Sequence, residues 1–152
     1  MQTFVPFANF RESAKCLDMK RLGKQRVEVL QLLNSFHRPD YKGWKNHPCR
    51  EMWRGHENAL AEYGMTVCEV WKERGYKDTC YEKIGAYYDK SKPTTYPWWL
   101  GMLDIHLSHQ SMLIKKYPKY YKQQFPDASE DLEYIWPSSN PNTFQTLTSK
   151  TT

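Results

Sequence analysis

In the segment Ala14 to Asn34 (AKCLDMKRLGKQRVEVLQLLN), three polar residues fall where a helix should be buried: Asp18, Gln25 and Arg26. At about 100° per residue, Met19, Leu22, Val29, Leu30, Leu32 and Leu33 share one broad apolar arc. Asp18, Gln25 and Arg26 project inside that arc, and Arg21 and Glu28 sit at its edge. A buried charge is strongly unfavourable unless it is paired. The pattern therefore predicts a helix that lines a polar cavity rather than only a core.

The elements that must position these residues can be read along the chain. Met1 to Phe10 is expected to be extended or irregular, because Pro6 discourages helix. Helix one follows, with Ser13 as its candidate N-cap. A loop from Ser35 to Asn46 is marked by Pro39-Asp40 and Gly43. Helix two is expected from Pro48, a favourable first-turn position, to Arg74-Gly75, where glycine supplies a C-cap. Its stripe runs through Met52, His56, Ala59, Leu60, Tyr63, Val67, Val70 and Trp71. Residues 76–95 read as a polar connection with a short helix at Tyr81–Tyr88. Helix three is expected from Pro97 to Lys116, stopped by Pro118. Repeats and strand alternation are absent. The predicted class is mostly α: a compact single-domain bundle of three main helices over residues 1–126, with an irregular N-terminus. A C-terminal tail, 127–152, is acidic, then rich in Ser, Thr and Asn, and is expected to dock loosely or fray.

Composition narrows the partners. The chain has 152 residues, 39% of them apolar, which suits one domain with a modest core. It holds no run of 18 apolar residues and no signal-peptide pattern, so a cytoplasmic protein with no membrane partner is expected. Cys16, Cys49, Cys68 and Cys80 lack CxxC spacing, which predicts reduced thiols and no zinc site. The net charge of +5 is unevenly placed: +6 over residues 1–50, −2 over 51–90, +4 over 91–126 and −3 over 127–152. Two basic blocks could fold into one positive face suited to a polyanion, nucleic acid first; a solvated surface is the plainer reading. The second block contains Lys115-Lys116-Tyr117-Pro118-Lys119-Tyr120-Tyr121-Lys122, where lysines could meet phosphates and tyrosines could stack on bases, or pack on the core. His56, His106 and His109 lie on helical stripes, where a satisfied core histidine is the commoner outcome, and no carboxylate or cysteine keeps ligand spacing with them, so no metal is expected.

An ordered set of motifs resembles the pyrimidine-dimer DNA glycosylases of the phage endonuclease V type. It runs Gly43-Trp44-Lys45-Asn46-His47-Pro48, Met52-Trp53-Arg54-Gly55, Ala59-Leu60, Glu73-Arg74-Gly75-Tyr76, then Pro118-Lys119-Tyr120-Tyr121-Lys122. An actinobacterial and phage subgroup is similar also at Leu17-Asp18 and from Arg21 to Glu28 (RLGKQRVE). The resemblance covers roughly residues 10–125. It implies a three-helix bundle that cuts the glycosidic bond of a damaged pyrimidine with the protein's own α-amino group. That amine forms an imine with the sugar C1′, and β-elimination then breaks the strand. An α-amino group ordinarily titrates at about 7.7–8.0, so a useful fraction of such amines is neutral near pH 7. No cofactor is implied, and the expected partner is double-stranded DNA, met by a monomer.

Two departures shape the site. Residue 2 is Gln, too bulky for efficient removal of the initiator, so the expected nucleophile is the Met1 amine. Ungapped registers place Gln25, Gly23 or Val27, not a glutamate, at the family's carboxylate position on helix one. Gln25 cannot act as a base, and Asp18 or Glu28 could supply the carboxylate from the same helix side. The catalytic candidates are thus Met1, Asp18, Gln25 and Glu28. The DNA-binding candidates are Arg21, Lys24, Arg26, His47, Lys119, Tyr120, Tyr121 and Lys122. A glycosylase with possible lyase action is the leading expectation. A non-catalytic DNA-binding protein on the same scaffold, or an enzyme acting on a nucleotide or modified base, are the alternatives.

Overall fold

A computed structural model describes residues 1–140 and 144–146 and shows a mostly helical chain. The elements are α1 (Phe10–Cys16), α2 (Met19–His37), α3 (Pro48–Trp53), α4 (Glu57–Glu73), α5 (Tyr81–Gly85), α6 (Leu103–Lys116), α7 (Pro118–Gln124), β1 (Ile135–Pro137) and β2 (Phe144–Thr146). The last six residues and 141–143, which include most of the polar end of the tail, lie outside the described residues. No helix among the described residues is long and apolar enough to cross a membrane.

Each of the three expected helices is shorter than its periodicity suggested. Helix one is two helices joined at Leu17 and Asp18, both extended. Its first part is capped by Asn9, whose side chain accepts from Glu12 N at 2.9 Å, not by Ser13. Ser13 instead holds Phe7 through its hydroxyl. Asp18 occupies the N-cap of α2, but its carboxylate makes no cap bond and pairs with Tyr121 and Arg21. Met19, placed in the apolar arc by periodicity, is 53% exposed, because the chain turns just before it. Helix two is interrupted after Trp53 by Gly55, whose φ of +83° a side chain would resist. Helix three starts at Leu103, not Pro97; residues 97–102 form turns, with Gly101 at φ +95°.

The core lies between α2 and α4, with α1 and α5 packed against α4. Close approach of these helices depends on Gly64: a Cβ there would sit 2.5 Å from Val29 Cγ1 and 3.2 Å from Ile84. At Gly23 a Cβ would come within 2.9 Å of the Trp71 ring. Trp53 and Trp99 are fully buried and meet edge to face at 5.1 Å. All four cysteines are free and buried. Beyond Pro126 the chain crosses the body of the fold. Leu132 and Ile135 donate backbone N–H bonds to Ser111 and Ser108 of α6, and Tyr134 and Trp136 are buried. β1 then pairs antiparallel with β2, Trp136 opposite Gln145.

Gly64→Ala inserts a methyl group into the α2–α4 contact. It is expected to lower stability by about 1–3 kcal/mol, read as a drop of several degrees in the thermal midpoint.

Candidate active site at the N-terminus

The first seven residues form no helix and no regular strand, yet they are not loose. Their backbone groups are held by side chains. Gln2 N donates to Glu28 Oε2 at 2.8 Å, and Gln2 O accepts from Gln25 Nε2 at 2.7 Å. Phe4 N donates to Gln25 Oε1 at 2.9 Å, while the Tyr63 hydroxyl lies 2.6 Å from Phe4 O. Val5 is held by His109 and His106, and Pro6 O by Gln110 Nε2 at 2.9 Å. Thr3 turns its side chain inward, where its hydroxyl accepts from Trp53 Nε1 at 2.9 Å. Gln25 thus serves as a surrogate strand: one amide offers a donor and an acceptor to alternate residues of the N-terminal segment.

This segment delivers Met1 to an open hollow of about 250 Å³, lined with Gln2, Phe4, Gln25, Glu28 and four cations, Lys20, Arg21, Lys24 and Lys116. The volume is below the ~300–1,000 Å³ usual for sites that engulf a small ligand, and suits one that meets a polymer at the surface. Glu28 is buried, and its Oε1 lies 3.6 Å from Lys24 Nζ. Burial and the charges of Arg21 and Lys24 push the Lys116 ammonium down, while Glu28 opposes them. A second hollow, of about 360 Å³, lies beside His37, His56 and Tyr87, and carries one lysine, Lys92.

The hollow therefore gathers Met1, Arg21, Lys24, Gln25 and Glu28 from the residues singled out by sequence. Lys20, Lys116 and Gln2 join them; helical i, i+4 spacing of Lys20, Lys24 and Glu28 was the available signal for the first. The other candidates lie elsewhere. Asp18 is one turn before the hollow, receiving the Tyr121 hydroxyl on its carboxylate and Arg21 at 3.2 Å. Arg26 faces away: it pairs with Asp78 at 2.6 Å and lies over the Trp71 ring at 4.4 Å. Burial would raise the Asp78 carboxyl, but Arg26 and the N–H groups of Tyr81 and Cys80 hold it below its usual range. His47 caps α3, accepting from Cys49 N at 3.0 Å. On α7, Tyr121 is buried, Tyr120 half-buried, and Lys119 and Lys122 exposed, with Lys122 3.5 Å from Glu130. Among the described residues no group of three or more His, Cys, Asp or Glu side chains could hold a metal ion.

A profile of the family described as pyrimidine dimer DNA glycosylase matches residues 1–83. The chain belongs to the pyrimidine dimer DNA glycosylase family. No curated protein and no solved structure gives a match. The family is one of DNA-repair glycosylases, and DNA is the partner it implies. In this member of the family the matched region supplies the N-terminal segment, Gln25, Glu28 and Tyr63, whereas Lys116, both clamping histidines and the C-terminal crossing segment lie outside it.

Arg26→Ala strips Asp78 of its charged partner. It is expected to cost about 3 kcal/mol of stability, the lower end for a broken buried pair, with DNA affinity changed less than twofold. Acid should act through the histidines. Burial pushes His109 down to about 3, with the neighbouring charge of His106 next; burial lowers His106 too, against the Val5 carbonyl. Both are neutral when folded, and both take up protons near 6.5 when unfolded. Stability is therefore full above about pH 6.5 and declines as pH falls toward 3. Denaturant midpoints measured across that range should show the decline, and His109→Asn should flatten it.

Proposed function

We propose that this protein is a DNA glycosylase with abasic-site lyase activity, acting on damaged or modified pyrimidines in double-stranded DNA through the amine of Met1. The observation that carries the reading is the hollow itself. Met1, with its α-amino group, lines it together with Glu28, the one carboxylate there among the described residues, and four cations.

The neutral amine attacks C1′ of the target nucleotide. The C1′–N bond breaks, and the base leaves with the bonding electrons and takes up a proton. The amine nitrogen, now bonded to C1′, gives up one of its protons; O4′ then leaves C1′ with its bonding electrons and takes up a proton, opening the sugar ring and leaving a protonated imine between Met1 N and C1′. Glu28 then removes a proton from C2′, the electrons expel the 3′ phosphate, and water hydrolyses the imine to restore the amine. Glu28 suits this role because the Gln2 N–H fixes one of its oxygens within one peptide of the nucleophile. Gln25 takes no proton; it sets the course of residues 2–4. Lys20, Arg21, Lys24 and Lys116 hold the phosphates that flank an extruded nucleotide.

Borohydride should trap a covalent adduct between the protein and duplex DNA bearing an abasic site, and N-terminal acetylation should abolish it. Glu28→Gln should slow strand cleavage by about 10²–10⁴-fold with DNA affinity little changed. Affinity should fall with salt with a log–log slope of about −3 to −4, and Lys24→Ala and Lys116→Ala should each reduce the slope by about 0.9. Salt-sensitive binding without an adduct would leave a DNA-binding protein on this scaffold and end the catalytic reading.

A further inference from the structure

The backbone of Val5 is gripped from the far side of the fold. Its N–H donates to His109 Nδ1 at 2.9 Å, and its carbonyl lies 2.8 Å from His106 Nδ1. His106 Nε2 accepts from Gly101 N at 2.8 Å, so its proton sits on Nδ1 and is donated to Val5. His109 must be the opposite tautomer, with Nδ1 bare and the proton on Nε2. Two histidines one helical turn apart on α6 therefore read both polar groups of one residue, and both must be neutral to do so.

The surroundings of His109 are dry. Its ring is fully buried, and among the described residues neither its Nε2 nor the Tyr134 hydroxyl has a hydrogen-bond partner. Tyr134 stacks on the imidazole with centroids 4.6 Å apart and planes 20° apart, and Phe4 meets both rings edge-on at 6.4 Å. An unsatisfied buried N–H is destabilising by roughly 1–3 kcal/mol. An apolar ring would remove that orphan N–H but would leave the buried Val5 N–H without its acceptor. What the imidazole adds is an acceptor at Nδ1. Tyr134 is held over it by the crossing segment, whose backbone is tied to Ser108 and Ser111 of the same helix.

We propose that His109, covered by Tyr134, is a positioning residue for the N-terminal amine: by fixing Val5 it sets the direction in which residues 1–4 run to Glu28. This rests on the reading of that amine as the nucleophile. Gln25 and Glu28 hold residues 2 and 4 at the hollow, but a segment anchored there alone can swing about those contacts. The bond to Val5 N, with those to Val5 O and Pro6 O, holds the segment from α6, on the side away from those contacts. It also makes the C-terminal crossing segment, 129–138, part of the catalytic apparatus. The titratable groups around the pair are His106 on α6 and Tyr134, on which Tyr63 of α4, Cys49 of α3 and Glu28 of α2 bear.

Two variants separate positioning from bulk. His109→Phe keeps an aromatic ring and removes the acceptor; His109→Asn returns an oxygen near the place of Nδ1. With abasic-site duplex, His109→Phe should form the borohydride-trapped adduct about 10–100-fold more slowly in single turnover, the scale of a misplaced reacting group. Its DNA dissociation constant should stay within about twofold of wild type. His109→Asn should recover most of the rate, and its rate should not fall on the acid side as His109 takes up a proton. Tyr134→Ala should reproduce the slow phenotype and Tyr134→Phe should not, which keeps the test available if His109→Phe does not fold. Equal losses in His109→Phe and His109→Asn, or a wild-type rate in His109→Phe, would overturn the proposal.

A readout free of catalysis distinguishes its failure from failure of the amine reading. Hydrogen exchange at residues 2–7, and release of Met1 by an aminopeptidase, should both quicken in His109→Phe and not in His109→Asn. If wild type traps no adduct while these rates move as stated, the amine reading fails and the anchor stands. If wild type traps and these rates do not move, the anchor fails alone.

Discussion

Among the described residues no strand pairs with the N-terminal segment. Backbone N–H and C=O groups that enter a protein interior need partners, and here they come from the side chains of Gln25, Glu28, Tyr63, His106, His109 and Gln110. Three helices, α2, α4 and α6, converge on a stretch of six residues. The make-up of the hollow depends on that convergence, because the segment so held is what brings Met1 to the same lining as Glu28. An ordinary terminus frays; this one is fastened at residues 2, 4, 5 and 6.

The electrostatics divide along the same segment. At the Met1 end Glu28 sits among Lys20, Arg21, Lys24 and Lys116, a positive field of the kind that attracts a polyanion. At the Val5 end the polar groups are neutral and sealed from water, since both histidines must lack a charge to serve as they do. A charged, open end and an uncharged end buried in the core lie only four residues apart. An exposed electrostatic hollow and a buried anchor are thus placed on one short piece of chain.

Much of the hollow could be read from the sequence because it depends on helical spacing. Gln25 and Glu28 lie in α2, whose buried face includes Leu22, Val29, Leu32 and Leu33; periodicity places Gln25 inside that arc and Glu28 at its edge. The resemblance motifs pointed to the family that the profile match shows over residues 1–83. Local spacing could not supply long-range partners. Arg26 lies on the inward arc as expected, but its partner Asp78 is 52 residues away, so a structural pair resembled a free guanidinium. The breaks at Leu17–Asp18 and at Gly55 interrupt patterns whose apolar residues continue on both sides, and periodicity cannot see a change of axis. Tyr134 and Trp136 sit in acidic, polar surroundings, and nothing near them in sequence shows that Ser108 and Ser111 receive the chain there.

The way the first residues are held has a consequence for biosynthesis. They leave the ribosome before any of their partners, and the last of these, on α6, follows about a hundred residues later. Met1 reaches the hollow only after α2, α4 and α6 have assembled around the segment that follows it. A chain interrupted before α6 carries the same first residues but lacks the groups that fasten Val5 and Pro6. Assembly of the hollow is therefore tied to completion of the fold.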